Sequence, residues 1–316
     1  MNHYQIIFDN MLIEDLQVVL KVAEFHSITA AAVSLDMQTA TASAALKRVE
    51  KALGIDLFIR TTRQLRLSNA GERYIPHCEQ ALATLDFAKQ NVKSDIDVVE
   101  GELRIGLSSD LGRNLAIPWL DEIMHIHRAL SLKAHISDST VDFYRDPVDI
   151  VLRYGSPKDA NVYGFKICDV PSLLCAAPSY LEQHGIPKHP YDLSGHNGLF
   201  YQLHDIIHNE WAFSCNGEQF KIKMSGDRAA NDGELVSRWC ASGKGLAVKS
   251  CLDVSADLLS GKVVSVMPKF TPRVTELWII CPSRQSITPA VRLLRDTFKQ
   301  KCENILNELS LKGLLS

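Results

Sequence analysis

A heptad pattern in residues 69–97 constrains the fold of this chain most, because it predicts one long helix with a single apolar seam. The seam residues recur with gaps of 4, 3, 4, 3 and 4, at Tyr74, Cys78, Ala81, Leu85, Ala88 and Val92. This spacing is typical of a helix that packs along a partner helix. At about 1.5 Å per residue such a helix is roughly 43 Å long. It therefore needs a partner for its seam, and it separates the chain into a part before it and a part after it.

The part before the long helix has the pattern of a helix-turn-helix followed by a pair of strands. Residues 13–26 show helical apolar spacing, and a short Ala-rich helix follows with Ser27 or Thr29 as its N-cap. A third helix is predicted over 38–53, ended by Gly54. Residues 56–68 alternate apolar side chains with arginines, which indicates two short strands joined by a turn. Two short helices with a tight break are the arrangement that places a helix in the major groove of DNA.

The charge of one segment supports this interpretation, whereas the net charge of the chain does not. The 316-residue chain has a net charge of −3 at pH 7, which does not suggest a nucleic-acid binder. Residues 47–66, however, hold six basic side chains (Lys47, Arg48, Lys51, Arg60, Arg63 and Arg66) against Glu50 and Asp56. A small basic face on an otherwise acidic protein is therefore expected.

The third helix carries the candidate DNA contacts. Opposite its apolar stripe lie Ala40, Ala44, Lys47 and Lys51, with Ser43 and Arg48 at the edges. Small side chains allow close approach to base edges, and lysine and arginine neutralise phosphates. We predict that Gln38, Thr39 and Ser43 touch bases. We predict that phosphates are held by Lys47, Arg48, Arg60 and Arg63. The alternative is an ordinary amphipathic helical hairpin with a solvated charged face.

From Gly101 onward, short apolar strands alternate with helical segments, which predicts an α/β region with a parallel or mixed sheet. Asn216-Gly217 between two alternating runs is a strong hairpin signal. The expected fold class is thus α/β with an all-α N-terminal part. No stretch of 18 or more residues is apolar and uncharged, and the first residues lack a secretory pattern, so a cytoplasmic protein without membrane contact is expected.

The stretch SITAAAVSLDMQTATASAALKRVEKALGIDLFIRTTRQLRLSNAG resembles the winged helix-turn-helix of LysR-type transcriptional regulators. The segments DIVLRYG, LCAAPSYLEQHG, NDGELVSRWCASGKGLAV and LLSGKVVSVMP follow in the order of that family, so the resemblance covers roughly residues 12–300. Two departures bear on DNA preference. Gln38-Thr39 stands where the family often has Ser-Gln, and Ala44 where it often has arginine.

The resemblance implies three parts: a winged helix-turn-helix DNA-binding domain (1–68), a linker and dimerisation helix (69–98), and an effector-binding domain (99–316). The last would be two-lobed and similar to periplasmic binding proteins, with lobe one at about 102–161 and 270–301 and lobe two at about 162–269. A homodimer or homotetramer would bind an imperfect inverted repeat in double-stranded DNA. A small-molecule effector between the lobes would change DNA bending and the recruitment of RNA polymerase. No cofactor and no enzymatic activity are implied.

Several residues are candidates for effector binding. Ser108 and Ser109 follow the first strand at a helix N-terminus, where N–H groups and hydroxyls bind anions, while the adjacent Asp110 leaves a neutral or amine-bearing ligand open. Arg153 and Tyr154 end a strand that would line the same cleft. The family's pattern brings Tyr201, Asn231 and Asp232 from lobe two. The alternatives are a helix cap for Ser108 and an internal salt bridge for Arg153.

Other signals are weaker. Cys240 is a candidate redox thiol close to the expected cleft, the alternative being a packed thiol. His204 and His208 are at i, i+4 but lack a third ligand, so no metal site is predicted. The rival function is a solute-binding or enzymatic α/β domain whose N-terminal helices serve only dimerisation.

Overall fold

The computed structural model describes residues 11–60, 65–93, 99–139, 143, 148–157, 159, 161–203 and 206–315, except the side chains of residues 60, 83, 86–93 and 285. The chain divides into two compact units, Met1–Asp95 and Ile96–Ser316. In the described part, no single helix is both long and apolar enough to cross a membrane. The helices Ile13–Phe25 and Ile28–Ser34 pass that test only as a pair, and they are bent by 120° at their junction.

The first unit is a three-helix domain with a two-stranded wing and a long C-terminal helix. Its elements are α1 (Ile13–Phe25), α2 (Ile28–Ser34), α3 (Thr39–Leu53), β1 (Phe58–Arg60), β2 (Leu65–Leu67) and α4 (Asn69–Lys93). The strands β1 and β2 pair antiparallel, with Phe58 opposite Leu67. The helix-turn-helix and wing expected from the sequence are therefore present.

Local hydrogen bonds define the ends of these helices. Ser27 Oγ accepts a bond from the N–H of Ala30 at 3.2 Å and so caps α2. Gly54 ends α3 with φ of 68°, a left-handed conformation that favours glycine. Both predictions are confirmed.

A carboxylate of α3 connects this helix to the wing. Glu50 Oε1 accepts bonds from the N–H groups of Leu57 and Phe58 at 2.8 and 3.2 Å. The strand β1 therefore leaves α3 in a fixed direction.

The core of this unit is aliphatic and tightly packed. Fully buried side chains come from three helices, namely Val19 and Val22 of α1, Ala31 and Ala32 of α2, and Ala42 and Val49 of α3. Near the start of α4, Gly71 is required by space, because a Cβ there would lie 2.2 Å from the carbonyl oxygen of Leu57. The small residues of the N-terminal pattern are thus explained by close packing of backbone.

The long helix α4 follows the predicted range, but its buried side differs from the predicted seam. The seam residue Cys78 is buried within the unit together with Ile75 and Leu82, which lie outside the seam, whereas the seam residues Ala81 and Leu85 are exposed. Leu85 is 50% exposed. The seam residues Ala88 and Val92 lie among the side chains outside the described residues. Part of the apolar seam is thus uncovered in the single chain.

The second unit contains a five-stranded sheet. Its strands are β3 (Gly101–Leu107), β4 (Leu130–Ile136), β5 (Ile150–Tyr154), β6 (Tyr163–Val170) and β16 (Thr275–Cys281), in the order β4-β3-β5-β16-β6. The pairs of β3 with β4 and β5 are parallel, and β16 is antiparallel to both neighbours.

Helices cover this sheet, and they are α5 (Ser109–Leu111), α6 (Ile117–Ile126) and α10 (Pro289–Leu311). A π-helical turn, Gly112–Ala116, joins α5 and α6 into one helical segment.

The remaining strands form three small sheets of a second lobe. They are β7 (Ser172–Ala176), β8 (Leu199–Leu203), β9 (Ile206–Ile207), β10 (Glu210–Cys215), β11 (Glu218–Lys223), β12 (Arg228–Ala230), β13 (Ala247–Ser250), β14 (Val264–Val266) and β15 (Thr271–Pro272). The helices of this lobe are α7 (Pro178–His184), α8 (Gly233–Ala241) and α9 (Ser255–Leu259). The predicted hairpin is confirmed, since Asn216 and Gly217 both have positive φ between β10 and β11.

The lobe boundaries differ from those expected. The strand β6, placed in lobe two by the sequence, pairs with β16 in the sheet of lobe one. The chain therefore enters lobe two after Val170 and not near residues 159–163. The chain also returns to lobe one slightly later than residue 270, because β15 still pairs with β10 of lobe two. Long-range strand pairing, which the sequence pattern does not reveal, decides both positions.

Candidate DNA-binding surface and effector cleft

The N-terminal half of α3 presents a polar and small-residue face to solvent. Gln38, Thr39, Ala40, Ala44 and Lys47 are exposed, and Ser43 is half-buried. The opposite side of the helix, with Ala42, Ala45, Leu46 and Val49, is buried in the domain core. Within its own unit, the face predicted to approach base edges is thus unobstructed.

Arg48 has a partner inside the domain that sequence reasoning missed. Its Nε lies 2.9 Å from Asp15 Oδ2, and its Nη2 bonds the other oxygen of the same carboxylate. Asp15 is only 2% exposed and also accepts the N–H of Leu12. These hydrogen bonds, with that from Arg48 the strongest, hold the pKa of Asp15 below its usual value. Arg48 therefore ties α3 to α1 in addition to any contact with phosphate.

Replacing Arg48 is expected to lower the folding stability of the N-terminal unit, whereas replacing Lys47 is expected to weaken DNA binding. Arg48→Met leaves the Asp15 carboxylate buried without its cation, so the urea midpoint of the N-terminal unit falls. Lys47→Met removes an exposed cation, so it leaves that midpoint unchanged and weakens DNA binding, lowering the salt slope by about 1. Urea unfolding and fluorescence anisotropy with labelled DNA measure the two effects. Equal midpoints for both variants would contradict the assignment.

The wing arginines lie only partly within the described structure. Arg60 ends β1, but its side chain is outside the described residues, and Arg63 is outside them entirely. The phosphate contacts of both residues remain predictions.

In the second unit, Ser109 binds a carboxylate of the same chain. Asp138 follows β4, and its Oδ1 lies 2.6 Å from the backbone nitrogen of Ser109. The hydroxyl of Ser109 donates to Asp138 Oδ2 at 2.6 Å. The N–H of Gly233, at the start of α8, donates to the same Oδ2 at 2.7 Å. Asp138, which the sequence did not single out, thus occupies the anion-binding position expected at Ser109 and joins the two lobes.

The other lobe-one candidates, Ser108, Arg153 and Tyr154, each lie in a different environment. Ser108 precedes α5 without capping it, and its Oγ is a buried atom without a hydrogen-bond partner among the described residues. Arg153 is half-buried, and no described side chain forms an ion pair with it. Tyr154 reaches into the structure, where its hydroxyl donates to Asp253 Oδ1 at 2.6 Å and contacts Ser250 Oγ at 2.8 Å.

The three candidates from lobe two surround Asp138. The hydroxyl of Tyr201 donates to the backbone oxygen of Asp138 at 3.2 Å. Burial, reinforced by Asp138, raises the pKa of Tyr201 to about 12, so it remains a donor at neutral pH. Asp232 caps α8 and also binds Arg113 Nη1 at 3.0 Å. Asn231 lines a cavity beside Asp138.

That cavity has a volume of about 380 Å³. Its described lining consists of Asp138, Ser139, Gln202, Leu203, Ala229, Ala230 and Asn231. The volume lies within the range of small-molecule sites, and the walls are largely polar. Of the candidates, Asn231 lines the cavity, and Ser109 and Tyr201 bond Asp138 in its wall, whereas Asp232 binds Arg113 and Tyr154 belongs to a second polar cluster.

The second cluster is a buried ion network centred on Lys249. Its Nζ lies 2.8 Å from Asp110 Oδ2 and 3.7 Å from Asp253 Oδ2, and it donates to the backbone oxygen of Gly233 at 2.9 Å. Ser237 also donates to Asp110, at 2.5 Å. Asp110 thus faces Lys249 and Ser237. Lys249 could not be predicted from a local pattern, because its partners lie on other elements.

Asp253 is expected to make the stability of the second unit depend on pH. Burial raises its pKa from the usual 3.8 to about 7, against the opposing effect of Lys249. The folded protein therefore keeps this proton between about pH 4 and 7, where the unfolded chain has lost it. The resulting stabilisation is complete below about pH 4 and is lost as the pH rises through about 7.

The variant Asp253→Asn tests this effect, since asparagine does not titrate. From pH 5 to pH 8 the wild type should lose at least about 1 kcal/mol of unfolding free energy relative to the variant. Urea unfolding at both pH values measures it, with the exposed Asp121→Asn as control. The same pH dependence in wild type and Asp253→Asn would show that Asp253 is ionised throughout.

Cys240 lies in the hydrophobic core and not at the cleft surface. It is fully buried on α8, with its Sγ 3.7 Å from that of Cys175 on β7. An oxidant would reach it only if the domain opened. No group of three potential metal ligands occurs among the described residues.

Comparison with known proteins agrees with this architecture. Residues 13–72 match the family described as bacterial regulatory helix-turn-helix protein, lysR family, and residues 97–303 match the LysR substrate binding domain. The HTH-type transcriptional regulator DmlR of Escherichia coli is 30% identical over 92% of this chain and 94% of its own length. The HTH-type transcriptional activator TtdR of Escherichia coli is 29% identical over 85% and 86%.

A solved structure extends the similarity to three dimensions. CrgA, a LysR-type transcriptional regulator from Neisseria meningitidis, is 26% identical over 91% of this chain and 98% of its own, with a TM-score of 0.59. A winged helix-turn-helix joined to a two-lobed small-molecule-binding unit defines a DNA-binding, effector-responsive transcriptional regulator. The chain belongs to the LysR family of such regulators.

Proposed function

We propose that two copies of this chain present their α3 helices to an imperfect inverted repeat in double-stranded DNA. Gln38, Thr39 and Ser43 contact base edges in successive major grooves. The observation that carries this proposal is the exposure of the small and polar face of α3 while its other side is buried. Because Ala40 and Ala44 have short side chains, that face can approach bases and thymine methyl groups closely.

Phosphate contacts orient the helix on DNA. Lys47 and Arg48 lie further along α3, and both residues are exposed. Arg60 and Arg63 extend from the wing. Because phosphate contacts carry little sequence information, these four residues set affinity and salt dependence more than specificity.

Dimerisation uses α4, in the linker part of residues 69–98 between the DNA-binding part (1–68) and the effector-binding part (99–316). Ala81 and Leu85 support this, because they are exposed apolar positions of the heptad seam. A homodimer matches two half-sites, and pairing of dimers gives a homotetramer that bends the DNA.

A small-molecule effector binds between the lobes, near Ser108, Ser109, Arg153, Tyr154, Tyr201, Asn231 and Asp232. The cavity beside Asp138 supports this, since lining residues come from both lobes. Closure of the lobes around the effector changes the spacing of the DNA-binding parts and hence the recruitment of RNA polymerase.

Substitutions of the wing arginines test the DNA-binding model. Binding to the promoter adjoining the protein's own coding region is measured by fluorescence anisotropy at several salt concentrations. Arg60→Ala with Arg63→Ala should weaken binding to all DNA and reduce the salt slope of each protomer by about 2. An unchanged slope would refute the wing contacts.

The same measurement separates the rival function. A folded dimer that does not bind this DNA even at low salt would favour a solute-binding or enzymatic protein. Specific and salt-sensitive binding favours the regulator.

A further inference from the structure

The anion-binding position of the cleft is already filled by the chain itself. Two backbone N–H groups and one hydroxyl, from Ser109 and Gly233, donate to the carboxylate of Asp138 at 2.6 to 2.7 Å. Ser109 and Gly233 each begin a helical segment, where N–H groups lack partners within the helix. A carboxylate of a ligand would seek these same donors. Since all three donors already bond Asp138, with the N–H of Gly233 shared with the hydroxyl of Ser109, an anionic ligand finds the position occupied.

Two of the cations near the cleft, Lys249 and Arg113, are committed to carboxylates of the chain, whereas Arg153 has no ion-pair partner among the described side chains and is tested separately below. Lys249 is buried between Asp110 and Asp253. Arg113 binds Asp232 and Glu234 at 3.0 and 2.9 Å. The described lining of the cavity includes no lysine, arginine or histidine, so Asp138 is its charged group. The carboxylate of Asp138 has no ion-pair partner among the described side chains, although three donors satisfy much of its hydrogen-bonding capacity.

We propose that Asp138 acts as an internal ligand of the cleft's anion site, and that the adjoining cavity therefore takes a small polar amine whose ammonium group pairs with Asp138. This inference rests on the proposed effector role of the cleft and specifies the chemical class of the ligand. A cation within reach of Asp138 gains a charge-assisted bond, whereas an anion at the same place meets like charge.

The rest of the cavity suits such a ligand. Asn231 and Ser139 offer amide and hydroxyl groups for the polar substituents of a small amine, while Leu203 and Ala230 supply limited apolar surface. At about 380 Å³, the cavity fits a molecule of the size of an amino alcohol or a short diamine.

The first experiment tests occupancy of the anion site, using acetate as the probe and the full-length protein. Asp138→Ala frees the donors of Ser109 and Gly233. We expect 100 mM acetate, compared with chloride at the same ionic strength, to raise the Tm of this variant by about 2–4 °C. Wild type and the control Asp121→Asn, an exposed carboxylate on α6, should not respond. Equal responses of all three proteins, or none in Asp138→Ala, would overturn the internal-ligand assignment.

The second experiment tests the ligand class with ethanolamine and putrescine against glycolate and succinate, by calorimetry. The amines should bind wild type and Asp121→Asn, and Asp138→Asn should weaken that binding at least 10-fold. Asparagine is nearly isosteric with aspartate, so this variant removes the charge with little change of shape. Tighter binding of the carboxylates to wild type, abolished by Arg153→Gln, would overturn the proposal in favour of an anion at Arg153. Failure of either amine to bind wild type would also overturn it.

DNA binding is measured on the same proteins. Because Asp138 is remote in sequence from α3 and lies in the other compact unit, Asp138→Asn should retain DNA binding. If the amines fail to bind wild type while wild type still binds DNA, the proposed ligand class is wrong but the regulator function stands. If DNA binding is absent as well, the regulator function itself is wrong.

Discussion

Replacing Ala44 with aspartate is expected to abolish DNA binding while leaving the protein folded. Ala44 is exposed on the face of α3 opposite the core, so a larger polar side chain meets solvent in the free protein. In the major groove the same carboxylate would meet the negative potential of DNA and would desolvate without a partner. We expect a loss of about 100-fold or more in affinity, for which anisotropy at 100 mM salt is the measurement.

The matched control for Ala44→Asp is Gln17→Glu. Gln17 is exposed on α1, so this variant adds the same charge to the same unit away from the α3 face. It should bind DNA within about threefold of wild type, since a distant exposed charge is largely screened by salt. Similar losses in both variants would mean that net charge, and not the position of α3, governs binding.

Lys249→Met should cause the largest loss of stability in the second unit. Lys249 is 9% exposed, and its ammonium group balances Asp110 and Asp253, which are also buried. Methionine fills similar volume but leaves the carboxylate of Asp110 without its cation in a region of low polarity. Breaking a buried pair by removing one partner costs about 3–5 kcal/mol, which urea unfolding detects.

Lys244→Met is the control for this variant. Lys244 is exposed in the turn after α8, so its loss should change the unfolding free energy by less than about 0.5 kcal/mol. A small effect of Lys249→Met would indicate that Asp110 accepts a proton and no longer needs the cation.

The sequence predicted the N-terminal unit well because its structure depends on short-range signals. The cap at Ser27, the end of α3 at Gly54 and the buried stripe with Ala42 and Val49 all follow from spacing within one or two helical turns. The ion pair of Arg48 with Asp15 escaped prediction, since the two residues are 33 positions apart and meet only after α1 packs on α3.

The cleft was predicted only in part, for the same reason. Ser109 was singled out because a serine after a strand and before a helix is a local pattern. Its occupant Asp138 is 29 positions away, and the third donor, Gly233, is 95 positions from Asp138. No periodicity connects such residues. The assignment of β6 to the wrong lobe has the same origin, because its partner β16 lies more than a hundred residues later.

The uneven burial of the cysteines has a practical consequence. Cys168 and Cys215 are partly accessible, whereas Cys175, Cys240, Cys251, Cys281 and Cys302 are shielded in the second unit. Alkylation followed by mass spectrometry therefore reports local opening around each buried thiol without an introduced probe. Since Cys175 and Cys240 touch across β7 and α8, simultaneous labelling of the two records the moments when that helix detaches from its sheet. The native thiols thus supply a built-in kinetic record of local opening within the second unit.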